Sequence, residues 1–172
     1  MFKELVSGKT VVFVDASNIY HSQKSLGWRV DLKKLIELMQ RELDLFGVYY
    51  YLAYDPLNGA QIKFIDFLEI IGYRIRKKPI KFIKEASNEH GGYHKGDLDV
   101  EITIDALHNR DQYESVLLFS GDSDFDPLIK YLKYFKKRCI VVSTKGHISI
   151  ELIRQAKFID LKKCEQELRL IK

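Results

Sequence analysis

From residue 10 onward, short apolar runs alternate with stretches whose apolar residues recur at helical spacing. Thr10-Val11-Val12-Phe13-Val14 has the continuous apolar pattern of a strand covered on both faces. The polar turn Asp15-Ala16-Ser17-Asn18 follows and leads into a short helix near Ile19. Asp31 is placed to cap a helix over residues 32–45, with Leu32, Leu35, Ile36, Leu38 and Met39 on its apolar face. Gly47 ends it, and residues 48–54, rich in tyrosine, read as a second strand. After a Pro-Leu-Asn-Gly turn, a helix is expected over 60–71, closed by Gly72. A third strand opens at 73–78, and residues 80–84 either extend it or pair back on it.

Residues 87–96 lack periodicity and read as an exposed, mobile loop. Further on, the pattern predicts a helix at 97–108, a buried strand at 115–119 and a helix from Pro127 to about 135, entered through Asp126 as an acidic cap. Then come a strand at 138–142, a short helix at 149–155, a strand at 157–161 and an amphipathic terminal helix over 162–172. Such alternation implies an α/β fold, a three-layer α/β/α sandwich around a mostly parallel sheet with right-handed crossovers. No repeat, linker or low-complexity segment interrupts it, so one domain over 1–172 with a core at about 10–161 is expected.

Composition narrows the setting. The 172 residues are 46% hydrophobic and 30% charged, which fits a folded globular chain. No apolar run approaches the roughly 20 residues needed to span a bilayer, and residues 1–8 are too short and too charged for a secretory signal. The two cysteines, Cys139 and Cys164, lack metal-ligand spacing, so a reduced, cytoplasmic protein is expected. The net charge of +4 permits a polyanionic partner without requiring one.

The chemistry gathers in three acidic segments. Ser120-Gly121-Asp122-Ser123-Asp124-Phe125-Asp126-Pro127 places three carboxylates in one turn after the buried strand. Open α/β sheets bind their ligands at the carboxyl ends of such strands. Crowded carboxylates need a cation, a proton or a helix N-terminus, and Mg²⁺ or Mn²⁺ suits oxygen ligands. Asp122 and Asp124 also suit plain turn and capping roles. If the strands ending at Asp15 and Asp122 are neighbours, Asp15 joins the turn, with Asn18 beside it as an orienting group or a helix cap.

The helix after Gly96 supplies the third segment. Val100, Ile104 and Leu107 form one stripe, and Asp97, Glu101 and Asp105 another that reads most simply as a solvated face. Asp99 stands among small and apolar positions in the first turn, so it is the third candidate metal carboxylate, with Asp105 weaker.

These segments, Phe13-Val14-Asp15-Ala16-Ser17-Asn18, Lys95-Gly96-Asp97-Leu98-Asp99-Val100 with Asp105, and Ser120 to Phe125 with Pro127-Leu128, resemble the signature segments of the NYN domain in its LabA-like branch. That family belongs to the PIN-like nuclease group, and the similarity runs from about residue 10 to 161. The resemblance implies a PIN-like, Rossmann-like sandwich, a divalent-metal site and metal-dependent cleavage of RNA. It implies Asp15, Asp99, Asp122 and Asp124 as the metal-binding and catalytic acids, with Asn18 beside them. Asp126 is a weaker candidate.

Candidate contacts to RNA, single-stranded or structured, come from a second signal. Arg74, Arg76, Lys77, Lys78, Lys81 and Lys84 crowd one extended stretch able to track a phosphate backbone, or to protect an edge strand with positive charge. Tyr93 and Lys95 on the loop can stack on a base and meet a phosphate, and Ser120 and Ser123 lie in the acidic turn. Tyr49, Tyr50, Tyr51 and Tyr54 suit sheet packing better than base stacking. Residues 144–147 either line the cleft or cap the following helix. A catalytically weak RNA- or partner-binding module of the same fold is the alternative, and a homodimer through the tyrosine-rich strand or the tail is a further possibility.

Overall fold

The computed structural model describes residues 1–84 and 92–171, with 81–84 and 92–95 described by backbone alone. Six strands form one sheet, all parallel: β1 (Thr10–Asp15), β2 (Leu45–Tyr54), β3 (Arg74–Pro79), β6 (Ser115–Phe119), β7 (Arg138–Ser143) and β8 (Lys157–Asp160). Their spatial order is β3-β2-β1-β6-β7-β8. The chain winds outward from β1 on one side and from β6 on the other, so the order reverses between these two strands. Parallel neighbours part there and leave a crevice at their carboxyl ends.

Among the described residues, seven α-helices cover the sheet: α1 (Ala16–Leu26), α2 (Leu32–Glu42), α3 (Gly59–Ile70), α4 (Asp99–His108), α5 (Asp126–Tyr134), α6 (Ile150–Gln155) and α7 (Glu165–Leu168). Strand alternation assigns the two faces. Val12, Val14, Tyr50 and Leu52 pack with Ile19 of α1, Leu35 and Met39 of α2, Leu68 of α3 and Leu168 of α7. Val11, Phe13, Tyr49 and Tyr51 pack with Ile102 of α4, Ile129 of α5 and Leu152 of α6. The result is the expected three-layer sandwich. Tyr49, Tyr50 and Tyr51 are buried, so they serve sheet packing and offer no exposed dimer interface.

Four local expectations are corrected. Residues 81–84 leave the sheet as β4 and pair antiparallel with β5 (Gly92–Lys95), where an irregular loop was expected; the intervening 85–91 lie outside the described residues. Asp126 is the first residue of α5 rather than its cap, and Phe125 precedes it without a side-chain cap bond. The tail is a 3-10 turn over Leu161–Cys164 followed by the four-residue α7, because Leu168 docks on the core and Arg169 bridges to Val30. On α4, Val100, Ile104 and Leu107 face solvent, while Ile102 and Ala106 are buried. The acidic stripe of that helix turns instead toward the basic edge strand.

Candidate functional site

The geometry begins with Asp15, the last residue of β1 and the N-cap of α1. Its carboxylate accepts the Ser17 amide at 2.9 Å, where the helix N-terminus favours negative charge. The neighbouring strand contributes through Ser120, whose hydroxyl donates to Asp15 at 3.1 Å and accepts the Asp122 amide at 3.3 Å. Ser120 is fully buried, so it holds Asp15 in place rather than offering itself to a substrate. Asp122 in turn accepts the Asp124 amide at 2.9 Å, forming a local turn that leaves both acids exposed. Gly121 is required at this point: a Cβ there would overlap the His147 carbonyl.

Asn18 does not cap α1. Its side-chain oxygen accepts from Ser143 at the end of β7, at 3.0 Å. Ser143, which the sequence reading passed over, is a buried hydroxyl at a strand end one position before the segment singled out there. The cap of α6 is Ser149, not a residue of 144–147, and His147 instead contacts Ser25 on α1 through its ring nitrogen.

Asp99 opens α4 and faces the same crevice. Burial, followed by the charges of Asp15, Asp122, Asp97 and Asp124, raises its carboxyl pKa to about 6. Burial also raises the Asp15 carboxyl, and the hydrogen bonds from Ser120, Asn18 and Ser17 oppose that rise. The acids of three separate segments therefore repel one another across one space, and no Lys or Arg forms a salt bridge with Asp15, Asp99, Asp122 or Asp124 among the described residues.

Asp105 and Asp126 stand apart. Asp105 accepts from the Tyr51 hydroxyl at 2.8 Å and from Arg76 at 2.7 Å. Asp126 pairs with Lys130 one turn along α5 at 2.7 Å. On the edge strand, Lys78 pairs with Glu101 at 2.9 Å, and Arg74 donates to the Tyr49 hydroxyl at 2.9 Å. Arg76 and Lys78 thus fasten α4 to the sheet, and Lys77 projects from the opposite face. For Lys81, Tyr93 and Lys95 the strand pairing is described; their side chains lie outside the described residues. Ser123 is exposed in the acidic turn.

A family model for the NYN domain matches residues 9–162. The chain belongs to the NYN domain family. This NYN chain is 33% identical over 157 residues to the low amplitude and bright protein LabA of Synechococcus elongatus, covering 89% of this chain and 83% of that protein. It also superposes on a crystal structure of a protein of unknown function from Vibrio parahaemolyticus, with a TM-score of 0.78 at 23% identity. That likeness covers 95% of this chain and 96% of the other and concerns the fold. No helix among the described residues is long and apolar enough to cross a membrane.

The donor set suits a hard divalent cation in charge and in kind: several carboxylate oxygens, a neighbouring amide and no thiolate. No three such groups among the described residues stand close enough to enclose an ion by themselves. Mg²⁺ commonly takes one or two carboxylates and keeps its waters, so an open set of this kind is compatible with it.

Proposed function

We propose that this NYN domain is a divalent-metal-dependent ribonuclease that hydrolyses RNA phosphodiester bonds at Asp15, Asp99, Asp122 and Asp124, using Mg²⁺ or Mn²⁺. The observation that carries the reading is geometric: Asp15 and Asp122 follow adjacent parallel strands and share the Ser120 hydroxyl, and Asp99 opens α4 near enough that burial first, and then these acids, raise its carboxyl to about 6. An RNA phosphate brought to the same crevice would be repelled as well, unless a cation balanced the charge.

Asp15 and Asp122 would hold the ion, with Asp99 and Asp124 completing the set and Asn18 orienting a water beside them. A bound ion would supply Lewis-acid polarisation of the phosphoryl oxygen and lower the pKa of a coordinated water. Ser120 fixes the Asp15 carboxylate, and the Asp122-Asp124 turn fixes the second acid. The attacking water's oxygen would form the new bond to phosphorus as a carboxylate of the set took its proton, while the bond to the leaving ribose oxygen broke and that oxygen took a proton from solvent water.

The test is cleavage of labelled single-stranded RNA with Mn²⁺ or Mg²⁺, comparing the wild type with Asp122→Asn. Metal-dependent cleavage by the wild type, abolished in the variant, is the expected result. Equal residual cleavage by both points to a contaminating nuclease. RNA bound but cleaved by neither favours the binding module, a reading supported by the open spacing of the carboxylates.

A further inference from the structure

We propose that a single RNA strand leaves the acidic cluster along the groove between α1 and α3, and that the basic edge strand is not its track. This proposal rests on the ribonuclease reading for the end of the groove at which cleavage occurs.

The groove consists of two adjoining clefts. One, of 990 Å³, begins beside the site: Ala16 and Ser17, directly after Asp15, and Gly96 and Asp97, shortly before Asp99, line its near end. The other, of 730 Å³, continues to Trp28, Arg29 and Lys33. Both clefts share Ile19, Tyr20, Gln23, Tyr50 and Phe64, so they form one path.

The chemistry along that path suits unpaired bases. Tyr20 is 57% exposed, and Phe64 and Phe67 on α3 are 40% and 42% exposed, an unusual outward display of aromatic rings. Such rings accept stacked bases irrespective of sequence. Lys24 lies 4.3 Å from the centre of the Tyr20 ring, which places a cation beside a stacking surface. Lys24 and Arg29 form no salt bridge among the described residues. The Trp28 indole N–H is buried at the groove lining and has no acceptor among the described residues.

Competing surfaces are weaker. Arg76 and Lys78 of the edge strand are engaged with Asp105 and Glu101.

The experiment measures binding of a fluorescein-labelled single-stranded oligoribonucleotide to the full chain by anisotropy, with Ca²⁺ replacing Mg²⁺ and Mn²⁺ so that the acidic cluster is charge-balanced while binding is read. Phe64→Ala/Phe67→Ala is expected to raise Kd about tenfold, the loss of a stacked base. Lys24→Ala/Arg29→Ala, which removes two exposed charges and the Lys24 contact with the Tyr20 ring, is expected to weaken binding and reduce the salt slope by about 1.4. Lys77→Ala is expected to bind as the wild type.

If both groove variants bind normally while Lys77→Ala binds weakly, the groove path is overturned and the ribonuclease reading stands. If the aromatic variant changes sedimentation but not RNA affinity, the groove is a protein interface and the proposal is overturned. Groove-dependent binding with no metal-dependent cleavage by the wild type would uphold the path and overturn the ribonuclease reading. Absence of both RNA binding and cleavage overturns both.

Discussion

The Ser120 hydroxyl donates to the Asp15 carboxylate at 3.1 Å, joining the ends of the two strands between which the sheet reverses its order. The same oxygen accepts the Asp122 amide, so one buried serine relates acids that lie far apart in sequence. Ser120→Ala is expected to cost about 1 kcal/mol in urea unfolding, the typical net value of such a bond. It is also expected to slow RNA cleavage about tenfold, since Asp15 loses its lateral support and its carboxyl rises further. Unchanged cleavage would mean that Asp15 needs no positioning from β6.

Asp99 gives a pH signature opposite to that of a salt-bridged acid. Burial and its acidic neighbours raise its carboxyl from 3.8 to about 6 in the folded chain. Between these values the folded chain retains a proton that the unfolded chain releases, so stability falls as pH rises through this window and stays lower above it. Asp99→Asn removes that penalty. In EDTA the variant is expected to exceed the wild type above pH 6 by about 1 kcal/mol, discounted for the half-exposed position of the group. The difference should vanish below about pH 4. Urea titrations across pH 4–8 would sink the account if the two unfolding curves stayed parallel.

Much of this arrangement was legible before any coordinates. The run Thr10–Val14 and the strand at 115–119 are apolar on both faces, and that pattern is confined to the sheet interior. Asp15 and Asp122 follow those strands immediately, so their convergence required only that the strands be neighbours. The α4 stripes were not legible, because periodicity records which residues share a face but not what the face meets. Arg76 and Lys78 drew Asp105 and Glu101 inward, and Val100 and Ile104 were left outside. The β4–β5 pairing was equally hidden: Gly92–Lys95 has no alternation of apolar and polar residues, and its order comes from backbone bonds to β4. Ser143 was missed because a lone serine at a strand end carries no pattern.

Asp105 should prove structural. It binds both the Tyr51 hydroxyl and Arg76, and it connects α4 to β2 and β3. Asp105→Ala leaves a buried tyrosine hydroxyl unsatisfied, so a loss of about 2–3 kcal/mol is expected in denaturant unfolding. At temperatures where the variant remains folded, its cleavage rate should stay within a few-fold of the wild type. A folded Asp105→Ala protein with cleavage lost a hundredfold or more would place this acid in the metal site instead.

Metal binding should appear as stability even without turnover. A cation held only by the folded chain raises stability by about 2.7 kcal/mol at a hundredfold excess over its Kd. Mn²⁺ or Mg²⁺ is therefore expected to raise the Tm of the wild type by several degrees, measured by differential scanning fluorimetry with EDTA as reference. Asp15→Asn and Asp122→Asn should flatten that rise, since each removes a formal charge from a set already short of ligands. Asp126→Asn should leave it intact, because that carboxylate is engaged with Lys130. A rise of equal size in all of these variants would show the ion bound elsewhere, and the acids would then need another explanation for their convergence.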